Sequence, residues 1–191
     1  MKSRASFTRI AAATVLAIMF ALVAGCASNR VISDGPHQNL MLKGYDPVAY
    51  FTDRKPVPGK VDIAVQHAGL DYRFATEEHR KQFLADPAHY VPQYGGFCAQ
   101  GVAYAVMFGG EAEKFQIIND RLFIYGDQGA IDAWNSSPKK HLEYAEHYWE
   151  TEMKGTPYRW QTLKRFIFKV PHYKTGKEVR ALLDAGKPVL E

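Results

Sequence analysis

The chain has 191 residues, a formal charge of +4, 13% aromatic residues and only two cysteines. That length supports one domain with a real core and excludes two comfortable ones, and the aromatic content excludes a disordered or collagen-like chain. Three of the cations, Lys2, Arg4 and Arg9, lie in a stretch without acids at the N-terminus, so the rest of the chain is near +1 and carries no nucleic-acid footprint.

Those three cations precede an apolar, uncharged run from Ile10 to Val23, shorter than the ~20 residues a spanning helix needs. The layout is that of a secretory signal. The run ends in Val23-Ala24-Gly25-Cys26, which resembles a bacterial lipobox. Residues 1–25 are then a lipoprotein signal peptide, and Cys26 becomes an acylated N-terminus held in a lipid bilayer, since each buried methylene adds ~0.8 kcal/mol. The alternative is an ordinary signal peptide that leaves Cys26 free. Residues 26–39 read as a polar tether with a Gly35-Pro36 break. Ala27 stands where an Asp would hold a lipoprotein in the inner membrane, so the expected location is exported and lipid-anchored, at the outer membrane facing the periplasm.

From Asn39 the chain becomes dense in aromatics. Val61, Ile63 and Val65 alternate with Asp62, Ala64 and Gln66, and a turn at His67–Asp71 leads to Tyr72-Arg73-Phe74, a hairpin with one buried face. Thr76 is placed to cap a short helix with Glu77 and Glu78 in its first turn, stopped by Asp86-Pro87. Two apolar runs joined by Asn119-Asp120 predict a second hairpin, "GAIDAW" a short helix, and Pro138 to Lys154 a longer helix with Leu142, Ala145, Trp149 and Met153 on its core face. A terminal helix is expected over Thr175–Ala185. No internal repeat stands out. The expected fold is α+β: a domain at 40–154 of two β-hairpins with interleaved short helices, followed by a basic extension at 155–191 that carries eight Lys or Arg against Glu178, Asp184 and Glu191.

The segments "GYDPVAYF" (44–51), "YRFATEEHRKQFLADPAHYVPQYGGFCAQGVA" (72–103) and "FQIINDRLFIYG", with "AEHYW" after them, resemble the YHS-domain family. The closer resemblance is to its exported branch, some of whose members carry selenocysteine where Cys98 stands here. The family is associated with metal handling, through cysteines in a "DPVCGM" and a "YYFCSxxCxxxF" segment. Here Ala49 and Ala75 occupy two of those cysteine positions and His79 the next, so the thiolate cage is missing. What the resemblance implies is a soft or borderline metal ion, copper or zinc, held by Cys98 with His79 or His67 beside it, and a protein that is not an enzyme.

Cys98 is the residue that needs explaining, because with Cys26 acylated it has no intramolecular partner in an oxidising compartment. One reading is a small buried hydrophobe. Another is a ligating thiolate. A third is a redox thiol that forms a sulfenic acid or a mixed disulfide with a metal-handling or thiol-redox partner. Gly95 and Gly96 favour the second and third, because they let the backbone turn and bring amides toward an anion. A non-catalytic interaction module using the aromatic surface and basic tail completes the set.

Overall fold

A computed structural model describes residues 39–191. The expected signal peptide, Cys26 and nearly all of the expected tether fall outside the described residues. The fold is α+β, with two separate antiparallel hairpins and short helices between them.

The first unit opens with a tight turn in which Leu42, Lys43 and Gly44 all have positive φ (53°, 54° and 88°). A one-turn helix α1 (Ala49–Thr52) follows, then strands β1 (Lys60–His67) and β2 (Leu70–Phe74), helix α2 (Glu77–Ala85) and the short α3 (Pro87–Tyr90). Ala68 and Gly69 make the hairpin turn with φ of 51° and 78°. Thr76 caps α2 by accepting from the His79 N–H at 3.1 Å. A bulge between Lys60 and Ala64 shifts the β1 register. Ile63 is buried, but Val61, expected on the same face, is 72% exposed; the bulge breaks the two-residue alternation that the expectation relied on.

The second unit repeats this order. Tyr94, Gly95 and Gly96 form a second positive-φ turn (55°, 62° and 79°). Helix α4 (Ala99–Val102), strands β3 (Glu111–Ile118) and β4 (Arg121–Tyr125), helix α5 (Gln128–Ser136) and helix α6 (Pro138–Tyr148) follow, the last extended by a π-turn at Trp149–Met153. The two strands, the capped helix and the proline-led helix each start 51 residues after their counterparts, at Lys60 and Glu111, Leu70 and Arg121, Glu77 and Gln128, Pro87 and Pro138. The β3 bulge falls at Glu111/Phe115, at the same shift. Asp127 caps α5 through the Ala130 N–H at 2.7 Å, as Thr76 caps α2. Gly59 and Gly110 also correspond: a Cβ on either would lie 2.5 Å from β2 or β4, at Arg73 or Ile124, whose positions match. The chain is therefore an internal duplication, contrary to the reading of the sequence. Its halves share turn geometry and core anchors, such as Phe83 and Trp134, while most other identities have diverged.

Each half has its own core, and β4 is the wall between them. Leu122 and Ile124 pack with Met41, Tyr50, Tyr72, Phe74 and Phe83, whereas Phe123 and Tyr125 pack with Phe97, Val102, Met107 and Trp134. The alternation of a strand sends successive side chains to opposite faces, so one strand serves both cores. Met153 and Ala145 are fully buried in the second core, with Leu142 and Trp149 packed against it. The C-terminal stretch joins that core too. It forms helices α7 (Tyr158–Ile167) and α8 (Gly176–Asp184), buries Val170, Val189 and Leu190, and ties Val189 N–H and Leu190 N–H to the Ser136 and Ser137 hydroxyls at 3.0 Å each. Thr175 and Glu178 form a reciprocal capping box at the start of α8.

Candidate functional site

The duplication brings two equivalent positions to light, one in each half. In the first unit the Asp46 carboxylate, two residues after the positive-φ turn, is fully buried. Its Oδ1 accepts from the Val48 N–H at 2.9 Å and the Ala49 N–H at 3.4 Å; its Oδ2 accepts from the Ala75 N–H at 2.7 Å and from His79 Nδ1 at 2.6 Å. Backbone amides from the turn after Asp46 and from the end of β2 thus form a nest for an anion. An imidazole from the first turn of α2 closes it. Hydrogen bonds to a charged group contribute ~1.5–3 kcal/mol each, which is how a carboxylate is held in a core.

In the second unit Cys98 stands at the corresponding place, two residues after Gly96 as Asp46 is two after Gly44. The backbone amides of Gly101, Gly126 and Gln100 face its sulfur. They are the counterparts of Ala49, Ala75 and Val48. Burial pushes the Cys98 thiol above its ordinary value, the three amides pull it back, and the Asp127 carboxylate adds to the rise. The side chain is 4% exposed and is a free thiol. A Cβ on Gly126 would meet the Gly109 carbonyl oxygen at 3.1 Å and the sulfur at an ordinary contact distance of 3.8 Å, so it is the carbonyl that crowds out a side chain beside this amide.

The halves differ in what closes the nest. The counterpart of His79 is Ala130, and that of Glu78 is Gly129. Where the first unit has an imidazole, the second has a cleft of about 450 Å³ with Cys98 among its lining residues. Its near wall is α5, through Gly129, Ala130 and Ala133. Its far wall is the C-terminal stretch, through Tyr173, Lys174, Val179, Arg180 and Leu183. Tyr104, 4% exposed, also lines it; the Gln100 amide approaches the Tyr104 hydroxyl without closing a hydrogen bond, and burial pushes the phenol up to about 12.

The three residues expected to share a metal ion are not brought together. Cys98 belongs to the second core. His79 is committed to Asp46, with Nε2 3.4 Å from Thr52 Oγ1. His67, at the end of β1, packs edge-on against Phe83 at 5.7 Å in the first unit. Among the described residues no group of three or more His, Cys, Asp or Glu could hold a metal ion. The positions that the family resemblance assigned to ligands, Ala49, Ala75 and His79, do converge, but on Asp46 rather than on an ion. Gly95 and Gly96 take positive φ in the turn before Cys98, while the amides at the sulfur come from Gln100, Gly101 and Gly126. Backbone donors leave no side-chain signature. The signal that could have found them is the pairing of Gly44-Tyr45-Asp46 with Gly96-Phe97-Cys98, and of Phe74-Ala75-Thr76 with Tyr125-Gly126-Asp127. The carboxylates Glu143, Glu146 and Glu150 lie on a solvated face, each in an ion pair with a nearby cation. Compared with protein-family models, characterised proteins and solved structures, the chain matches none.

Proposed function

We propose that this chain is an exported, lipid-anchored protein that works through Cys98 as a single reactive thiol at the inner end of a cleft. The observation that carries the reading is the equivalence of Cys98 with Asp46. The same three backbone positions that hold a buried carboxylate in the first unit surround the sulfur in the second, and such a nest favours the anionic form of its occupant. The thiolate formed on reaction, and the oxygen of a sulfenate derived from it, are the anions it would hold. A packing cysteine needs neither three amides nor a cleft. The resting thiol is protonated, because burial outweighs the amides; its reactivity therefore climbs with pH through a range in which an ordinary thiol, with its pKa of ~8.5, has already levelled off. A soft metal ion on Cys98 would need its other ligands from a partner or from outside the described residues.

The test uses the full chain in mild detergent, with the product read on the Cys98 peptide by mass. Peroxide should convert Cys98 to a sulfenic acid trapped by dimedone, with a rate that rises with pH, and Cys98→Ser should abolish the adduct while leaving the fold intact. Copper(I) uptake against a competing chelator that is strong and depends on Cys98 would favour the metal reading. A native Cys98 inert to peroxide, with Cys98→Ser costing several kcal/mol, would reduce the residue to packing.

A further inference from the structure

Resting on that thiol reading, a further question is what enters the cleft. We infer that it takes a small disulfide bearing a carboxylate, with the acid against Lys174 and Arg180 and one sulfur against Cys98. Four observations converge on this. The cleft lies where the first unit places the His79 imidazole; Gly129 and Ala130 leave that place open, and about 450 Å³ is in the range of small-molecule sites. Lys174 and Arg180 face it from the C-terminal wall, and among the described residues neither is within ion-pair distance of an acid. The one carboxylate on the cleft, Asp127, accepts the Ala130 N–H through Oδ1 at 2.7 Å, and its single negative charge is outnumbered by the two cations. Val179 and Leu183 on α8 offer apolar contact for the carbon body. The fourth is independent of the cysteine: Tyr104, a side chain 4% exposed, lines the cleft, and its hydroxyl is buried with no closed hydrogen bond, the Gln100 side chain being the polar group that approaches it. Burying a hydroxyl unpaired is costly, and a small rotation of the ring would turn it to a carboxylate or amide on the ligand.

The chemistry is thiol–disulfide exchange. The Cys98 thiol loses its proton to solvent, its sulfur attacks one sulfur of R–S–S–R, the S–S bond breaks, and RS⁻ leaves, giving Cys98–S–S–R. A second thiolate RS⁻ attacking the R-side sulfur returns the Cys98 thiolate and releases R–S–S–R, so no oxidant is consumed. Without a second thiol among residues 39–191, the mixed disulfide persists until such a thiol arrives.

Three aliphatic disulfides of similar reactivity test the assignment: 3,3′-dithiodipropionate (anionic), bis(2-hydroxyethyl) disulfide (neutral) and cystamine (cationic). Each is reacted with the full chain in detergent, native and urea-unfolded, and the Cys98 peptide is read by mass; the native-to-unfolded rate ratio removes intrinsic reactivity. The expected result is a ratio about ten-fold or more higher for the anionic than for the cationic probe, shrinking with salt, and reversed in Lys174→Glu/Arg180→Glu. Equal ratios for the three probes would overturn the anionic assignment and leave the thiol reading standing. A native Cys98 that exchanges with none of them, while the unfolded chain reacts with all, would overturn both. Should the double variant unfold, Arg180→Gln alone must still reduce the anionic preference by several-fold for the assignment to survive.

Discussion

Asp46 and Cys98 show how one backbone geometry can hold two chemistries. The carboxylate is closed off: four donors reach it and no part of it meets solvent. The thiol has the amides without the imidazole, and a cleft where the imidazole would be. Replacing Ala130 by His puts the missing ring on α5 at the position His79 holds on α2. An imidazole beside a thiol can take up its proton, and the imidazolium–thiolate pair so formed is favoured by about 1–3 pH units for opposite charges in contact. Ala130→His should therefore lower the pH midpoint of iodoacetamide alkylation at Cys98 by about one unit, and should slow exchange with disulfides because the ring fills the space they need. An unchanged midpoint in a folded variant would mean that the two nests are not equivalent.

At the scale of elements, the junction of α5 and α6 carries a titration. His141 is fully buried on the first turns of α6, its ring tilted against Trp134 at 5.5 Å, and its Nδ1 donates to the Ser137 carbonyl at 3.0 Å. Its other nitrogen has no partner, and burial pushes its pKa down to about 4 from 6.5. The unfolded chain takes up this proton near pH 6.5 and the folded chain only near pH 4, so the stability involved is whole above pH 6.5 and is lost as pH falls toward 4. The window is worth about 3 kcal/mol at most. His172, also lowered by burial while its Nε2 donates to the Ala103 carbonyl, adds in the same direction. Urea unfolding from pH 7.5 to 4 should show His141→Gln less stable than the native chain at neutral pH and flatter across that window; parallel curves would place the proton elsewhere. The hairpins, the capped α2 and the capped α8 were legible in the sequence because alternation, turn residues and Thr76 or Thr175 mark them locally. Helix α7 was not, since Trp160, Leu163, Phe166 and Ile167 face solvent and make no core stripe. The site was half legible. An odd cysteine after two glycines is visible in a string of letters, whereas a nest of amides and an alanine in place of a histidine become visible only once the two halves are laid over each other.

At the scale of the whole molecule, the C-terminal stretch turns an open second unit into one with a walled cleft. Deleting residues 188–191 removes Val189 and Leu190 from the core and leaves the Ser136 and Ser137 hydroxyls without those amides. Each such side chain contributes ~1.5–3 kcal/mol on burial, so the deletion should lower stability by about 3–5 kcal/mol; a loss under ~1 kcal/mol would show that the end of the chain merely rests on the surface. The burial of Val189 and Leu190 also sets the order of events in synthesis. Domains fold as their chain emerges at ~5–20 residues per second, and the first unit has its hairpin and helix available early, although Leu122 and Ile124 must follow to seal its core. The second core stays unsealed until its last pieces have left the ribosome. A core that closes last during synthesis leaves its half of the chain unfolded longest, which would suit the export proposed above, with the thiol becoming a finished site only once Val189 and Leu190 are in place.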